Sequence, residues 1–268
     1  MECFSMRTVI DAHAHVFPGK IAAKATESIG DFYDIPMDLD GSVETLLRLK
    51  ERYGVSKFLI QSVATTPQQV TSINDFIAET VRSHPDTFIG FGALHPDMEN
   101  PEKEIERILS LGLKGVKLHP DFQRFEADSP AAMRLYAPME SRLPLLIHAG
   151  DKRYDYSHPR RIANILSAFP KLDVIAAHFG GWSQWDVAQE YLKGKRVWVD
   201  TSSSLYEVPP KRAKELFDRF GEDYVLFGTD YPMWKVNEEL ERLEQLGLSD
   251  TQMEKVLHLN VEKLLGLS

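Results

Sequence analysis

The chain has one cysteine, Cys3, which leaves no partner for an internal disulfide and fits a reducing compartment. No apolar run is long enough to span a bilayer. Met1 to Arg7 lacks the apolar core of a signal peptide, so the expected location is the cytoplasm. Met6 is an alternative start, and residues 1–6 read as an unstructured appendage. An excess of basic residues is also missing. The 31 Lys and Arg against 40 Asp and Glu leave a formal net charge of -9, which argues against nucleic acid as the main partner. There is no glycine-rich phosphate loop after the first apolar run, no low-complexity stretch and no clean repeat.

What remains is an ordinary globular composition, with 268 residues, 43% of them hydrophobic and 26% charged. Short apolar runs recur along it, and eight of them read as strands: Val9 to His15, Lys57 to Val63, Phe88 to Leu94, Gly115 to His119, Leu145 to His148, Asp173 to His178, Arg196 to Thr201 and Tyr224 to Thr229. Their bulk suits strands buried on both faces. The segments between them carry helical spacing, as in the stripe Val70, Ile73, Ile77 and Val81. Asn100-Pro101, Ser129-Pro130 and His158-Pro159 place proline where a first helical turn tolerates it. Ser249 with Gln252 has the spacing of a capping box. Strands alternating with helices imply a parallel sheet, and eight such units predict one α/β domain over residues 1–268, a closed (β/α)8 TIM barrel. The long connection from 16 to 42 holds Phe32, Tyr33, Ile35 and Met37, and is expected to be a lid over the barrel mouth.

Active sites of such barrels lie at the carboxyl ends of the strands, so the polar residues there carry the functional reading. His13 and His15 share one face of the first strand, and two imidazoles projected in parallel are half of a metal site. Lys117 and His119 share a face of the fourth strand, His148 ends the fifth, His178 the sixth and Asp230 the eighth. Each alone reads as a structural histidine, a helix cap or a solvated lysine. Arranged around one closed ring, they point to a divalent metal.

Together, Ile10-Asp11-Ala12-His13-Ala14-His15, Gly115-Val116-Lys117-Leu118-His119-Pro120, Ile147-His148-Ala149-Gly150, Ala177-His178-Phe179-Gly180-Gly181 and Gly228-Thr229-Asp230-Tyr231-Pro232 resemble the amidohydrolase superfamily. The similarity is to the amidohydrolase-related branch that includes aminocarboxymuconate semialdehyde decarboxylase, and it covers nearly the whole chain. This resemblance implies that His13, His15, His148 and Asp230 bind the metal, with His178 and Asp230 as catalytic acid/base groups. Three imidazoles and one carboxylate suit zinc, with manganese or iron(II) as alternatives. One metal is preferred over two; a second ion would use Lys117, which some relatives carry carboxylated, and His178. The resemblance also implies a homodimer.

The expected function is hydrolysis of a small carboxylated or cyclic carbonyl compound (lactone, ester or amide) by a metal-activated water. The alternative is metal-dependent, non-oxidative decarboxylation of a small unsaturated or aromatic acid. A third reading is a metal-binding barrel that no longer catalyses. The substrate is expected to be an anionic small molecule, held by His119, Arg124 and Lys152, with Arg153 alongside and Trp182 as a flat wall. Trp234 is a second wall candidate.

Overall fold

The computed structural model describes residues 7–267; the expected appendage, with Cys3 and Met6, lies outside them. The strands are β1 (Ile10–His15), β2 (Lys57–Gln61), β3 (Phe88–Gly90), β4 (Gly92–Ala93), β5 (Val116–Leu118), β6 (Leu145–Ile147), β7 (Val174–Ala176), β8 (Trp198–Asp200) and β9 (Val225–Leu226). All ladders between them are parallel. The expected third strand is interrupted at Phe91 and contributes both β3 and β4, so the segments amount to eight barrel strands. Phe91 still donates to the Ile60 carbonyl at 3.0 Å while Gly92 donates to Gly115 at 2.8 Å, which carries the ring across the break. It closes where Ala12 donates to Phe227 at 2.8 Å, Asp230 to His13 at 2.8 Å and His15 to Tyr231 at 2.7 Å. The chain is a (β/α)8 TIM barrel.

Helices follow the strands: α1 (Gly19–Tyr33) and α2 (Val43–Tyr53) after β1, α3 (Val70–Ser83) after β2, α4 (Pro101–Ser110) after β4, and α5 (Pro120–Gln123) with α6 (Pro130–Tyr136) after β5. Then come α7 (Pro159–Ala168), α8 (Trp185–Leu192), α9 (Pro210–Phe220), α10 (Val236–Glu244), α11 (Asp250–Glu254) and α12 (Asn260–Leu265). The expected proline starts are observed at α4, α6 and α7, and Ser249 with Gln252 forms the capping box of α11. The 16–42 connection is largely the helix α1, which ends at Asp34 in a left-handed conformation.

Apolar side chains divide into two layers because strand residues alternate. Ile10, Ala12, Leu59, Ile89, Phe91, Leu146, Ile175, Ala177, Trp198 and Leu226 fill the barrel, and Val261 of α12 closes their end. Phe58, Ile60, Leu118, Leu145, Ile147, Val174, Val199 and Phe227 face the helices instead. On β6 this alternation puts Leu146, and therefore His148, inward. Strand β1 departs from it. Its register with β2 slips between Asp11 and Ala14, a bulge. Ile10 and Ala12 thus fill the barrel while His13 and His15, one step out of phase with them, reach inward too; Ala14 and Val16 join the helix-side core.

The broken third strand is held by Asn74 of α3. Its Oδ1 accepts from the Ala93 amide at 2.6 Å, and its Nδ2 donates to the Ala93 carbonyl at 3.1 Å and to Glu104 at 2.7 Å. All of this is buried. Asn74→Leu therefore orphans both backbone groups and should cost about 3 kcal/mol, at about 1–3 kcal/mol per unsatisfied group. The check is the urea midpoint at unchanged slope.

Glu239 of α10 is fully buried and paired with Arg242, and burial raises its carboxyl to about 7 from 4.5. A raised carboxyl holds its proton more tightly in the folded state. Stability is therefore greatest below about pH 4.5 for this group and falls as pH rises through 7. Glu239→Gln should melt above the parent at pH 8, and the gap should close as the pH is lowered toward 4.5. A gap independent of pH would contradict this.

Candidate metal centre and its cavity

A small cavity of about 20 Å³ opens at the carboxyl ends of the strands. His13, His15, Lys117, His119, His148, His178 and Asp230 form its polar lining, and Ile29, Tyr33, Phe122, Pro232 and Met233 the remainder. The structure thus brings every expected metal or acid/base residue to one opening.

Three donor atoms converge most closely. His13 Nε2 and His15 Nε2 lie 3.2 Å apart, and Asp230 Oδ1 lies 3.3 Å from the first and 3.4 Å from the second. Around a tetrahedral ion with bonds of about 2.0–2.1 Å, neighbouring ligand atoms stand about 3.3–3.4 Å apart. Two imidazoles and a carboxylate at that spacing fit a divalent metal.

The surroundings prepare these donors. His13 Nδ1 donates to Asp200 Oδ2 at 2.8 Å, which leaves Nε2 with its lone pair facing the cluster. Burial opposes ionisation of Asp200, but His13 and His178 outweigh it and hold the carboxyl at about 2. Asp230 is likewise held well below the usual range by His13, His15 and His178 against its burial, and Ser203 donates to its Oδ2 at 2.6 Å. Trp234 steadies that serine through Nε1 at 2.9 Å. Burial lowers His15 and His178 to about 4, and His119 and His148 well below 6.5, so these four imidazoles stay neutral near pH 7. Lys117 Nζ stands 3.0 Å from His13 Nε2, its ammonium lowered by burial to about 8.

His178 sits in a left-handed turn with φ 61, followed by Phe179 and Gly180 at φ 50 and 73. This reversal after β7 turns the ring back so that Nδ1 donates to the Ser202 carbonyl at 2.9 Å. Asp230, at φ 64, is in the same uncommon region. His148 is oriented differently from the three converging donors. Its Nδ1 lies 2.9 Å from His178 Nε2, its Nε2 faces the Gly150 carbonyl at 2.9 Å, and its ring stacks on His119 at 4.0 Å. It shares a second cluster with His119 and the buried Asp121, whose Oδ2 lies 3.7 Å from His148 Nε2.

The expected substrate contacts are dispersed. His119 lines the cavity. Trp182 stands behind Tyr33, edge-on at 5.0 Å, and does not line the cavity, and neither do the exposed Arg124 and Lys152. Arg153 is committed to Asp151, with Nη2 to Oδ2 at 2.7 Å. Lys117 is the cation lining the cavity. Sequence reasoning missed Asp200, Ser202 and Ser203, and read Tyr33 only as part of the 16–42 connection over the mouth. Asp200 shares the inward face of β8 with Trp198, so alternation was a usable signal. The aromatic content of 16–42 pointed Tyr33 to the mouth, but its place in the cavity wall follows only from the tertiary packing of α1. Burial, with the nearby carboxylates of Asp230, Asp121 and Asp151, pushes its phenol well above 10.

Residues 10–267 match the family model described as Amidohydrolase. A curated relative, gamma-resorcylate decarboxylase of Polaromonas sp. (strain JS666 / ATCC BAA-500), is 24% identical over 83% of this chain and 86% of its own length. Among solved structures, a dihydroxybenzoic acid decarboxylase from Polaromonas sp. JS666, with bound manganese and the inhibitor 2-nitroresorcinol, superposes with TM-score 0.74. It is 17% identical, over 98% of each chain. A probable 2-pyrone-4,6-dicarboxylic acid hydrolase from Acinetobacter baumannii, with citric acid bound, superposes at 0.72 and 17% identity, covering 97% of this chain and 100% of its own.

Removal of the carboxylate behind His13 tests the centre without touching a donor atom. Asp200→Ala should weaken manganese binding by about 10- to 100-fold. Titration of chelator-stripped protein against a competing fluorescent chelator measures it, and unchanged affinity would remove Asp200 from this role.

Proposed function

This chain belongs to the amidohydrolase family, and on that premise we propose that it is a metal-dependent, non-oxidative decarboxylase of a small planar aromatic acid. The observation that carries the reading is a three-donor cluster at metal spacing beside one ammonium, in a cavity that Tyr33, His119 and Phe122 also line. The similarity to gamma-resorcylate decarboxylase along most of the chain favours decarboxylation over the hydrolysis that the sequence motifs put first. We assign one divalent ion. Manganese is the first to test, because the Polaromonas structure holds it, and zinc the second.

His13, His15 and Asp230 would hold the ion, which would supply Lewis-acid polarisation of a substrate oxygen; His148, expected as a fourth ligand, instead faces His178 and the Gly150 carbonyl. Lys117 pairs with the substrate carboxylate in a site where burial strengthens the attraction. His119 and Phe122 line the cavity that would take the substrate. His178, its Nδ1–H fixed on Ser202, takes up a proton at Nε2 and delivers it to the ring carbon that bears the carboxylate. Asp230, held ionised, stabilises the charge that His178 carries meanwhile. The carbon–carbon bond to the carboxylate then breaks, its electron pair restores the aromatic ring, and carbon dioxide leaves. One proton enters for each carbon dioxide released.

Hydrolysis remains the second reading. Neutral His178 beside the cluster suits a general base for water, and the superposable hydrolase from Acinetobacter baumannii favours keeping it.

Manganese-loaded protein should release carbon dioxide from gamma-resorcylate or a related dihydroxybenzoic acid, and 2-nitroresorcinol should compete as an inert planar probe. Acid release from lactones with no carbon dioxide from any aromatic acid would reverse the order of the two readings. His178→Asn should lower turnover by about 10²- to 10⁴-fold, the usual contribution of a positioned acid/base group. Its manganese content should match the parent, and full activity would exclude His178 as the proton carrier.

A further inference from the structure

Tyr33 reaches the cavity from α1, outside the set of strand-end residues. Its hydroxyl lies 2.8 Å from His119 Nε2. The direction of that bond follows from the other nitrogen of the ring. His119 Nδ1 accepts the backbone N–H of Phe122 at 3.3 Å, capping α5, and so carries no hydrogen. The proton of the neutral ring is therefore on Nε2, and Nε2–H donates to the Tyr33 oxygen. The Tyr33 O–H hydrogen is left without an acceptor among the described residues. It is a donor at the wall of the cavity.

The ring that carries this donor is fixed. Trp182 meets it edge-on at 5.0 Å and Phe122 at 5.7 Å. The Arg153 guanidinium stands 5.3 Å from its centre, itself locked by Asp151 and by its bond to the Phe32 carbonyl at 2.6 Å. So many contacts on one phenol leave it little freedom to turn its hydroxyl elsewhere. A fixed donor in a cavity lined by rings recognises a small molecule with an oxygen within its reach. Molecules lacking that oxygen leave the donor unsatisfied in a largely buried position.

We propose that Tyr33 is a substrate-recognition residue whose hydroxyl donates to a carboxylate or phenolate oxygen of a planar acid on the His119 side of the cavity. The substrate class rests on the decarboxylase reading; the direction of the donor does not. Arg153 and Trp182 act through it as positioning residues, which gives the cations and aromatics at the mouth a role other than direct contact.

The test is equilibrium titration of manganese-loaded protein with 2-nitroresorcinol, followed by its visible absorbance, for the parent and for Tyr33→Phe. Loss of a hydrogen bond to a charged acceptor should weaken binding by about 10- to 100-fold. Manganese content and melting temperature should match the parent, since Phe keeps the ring contacts. Equal affinity for the two proteins would overturn the proposal. Carbon dioxide release from gamma-resorcylate, measured on the parent in parallel, separates the two claims. Weakened binding without carbon dioxide from the parent would keep Tyr33 as the recognition residue and sink decarboxylation. Carbon dioxide release with equal affinities would sink the role of Tyr33 alone.

Discussion

Closure of the barrel between β1 and the segment after β9 is the constraint on which the candidate centre depends. The bonds that join the two ends of the ring, Asp230 to the His13 carbonyl and His15 to the Tyr231 carbonyl, are made by residues that supply the converging donors or adjoin them. Asp11 reinforces the seam through the Thr229 hydroxyl at 2.6 Å, between positions 218 apart in the chain. The metal-spaced cluster is therefore a property of the closed ring: a barrel that failed to close would lose its donors at the same time. The β1 bulge completes the arrangement, because it lets one strand fill the barrel below and present two imidazoles above.

Around that seam the buried charges are organised by sign. Asp200 and Asp230 are carboxylates despite burial, because the histidines beside them outweigh the loss of solvation. His15 and His178 are in turn kept neutral near pH 7 by burial, the form in which an imidazole acts as a ligand or accepts a proton. Two of the responsible residues, His178 and Asp230, have left-handed backbones, which places strain where the chemistry is concentrated. Lys117 contributes the compensating positive charge.

Above the cluster, α1 does something the barrel strands cannot. Strand-end residues all radiate from one ring, whereas α1 approaches from outside it and adds Ile29 and Tyr33 to the cavity wall. Arg153 binds this helix to the loop after β6, with its guanidinium 4.6 Å from the Phe32 ring and 5.5 Å from Trp182. The cation read from sequence as a substrate anchor is thus spent on the architecture of the mouth. A single ammonium suits a small anion, which is why the decarboxylase reading fits this cavity.

The sequence by itself determined the barrel, because burial on both strand faces leaves a local record: eight short apolar runs, helical stripes between them, and proline or capping residues at the helix starts. It also determined which polar residues stand at strand ends, since side-chain alternation is a two-residue rule. Lys117, His119, His148 and Asp230 line the cavity as that rule requires, while His13 and His15 reach it through the β1 bulge and His178 through a left-handed turn. Tertiary structure decided what no local period encodes. The break at Phe91 depends on Asn74 from another element, and the orientation of His148 depends on His178 and Gly150. The tautomer of His13 depends on Asp200, and the direction of the Tyr33 hydroxyl depends on Phe122 through His119. These are relations between residues distant in the chain, fixed only when the ring closes and the helices settle upon it.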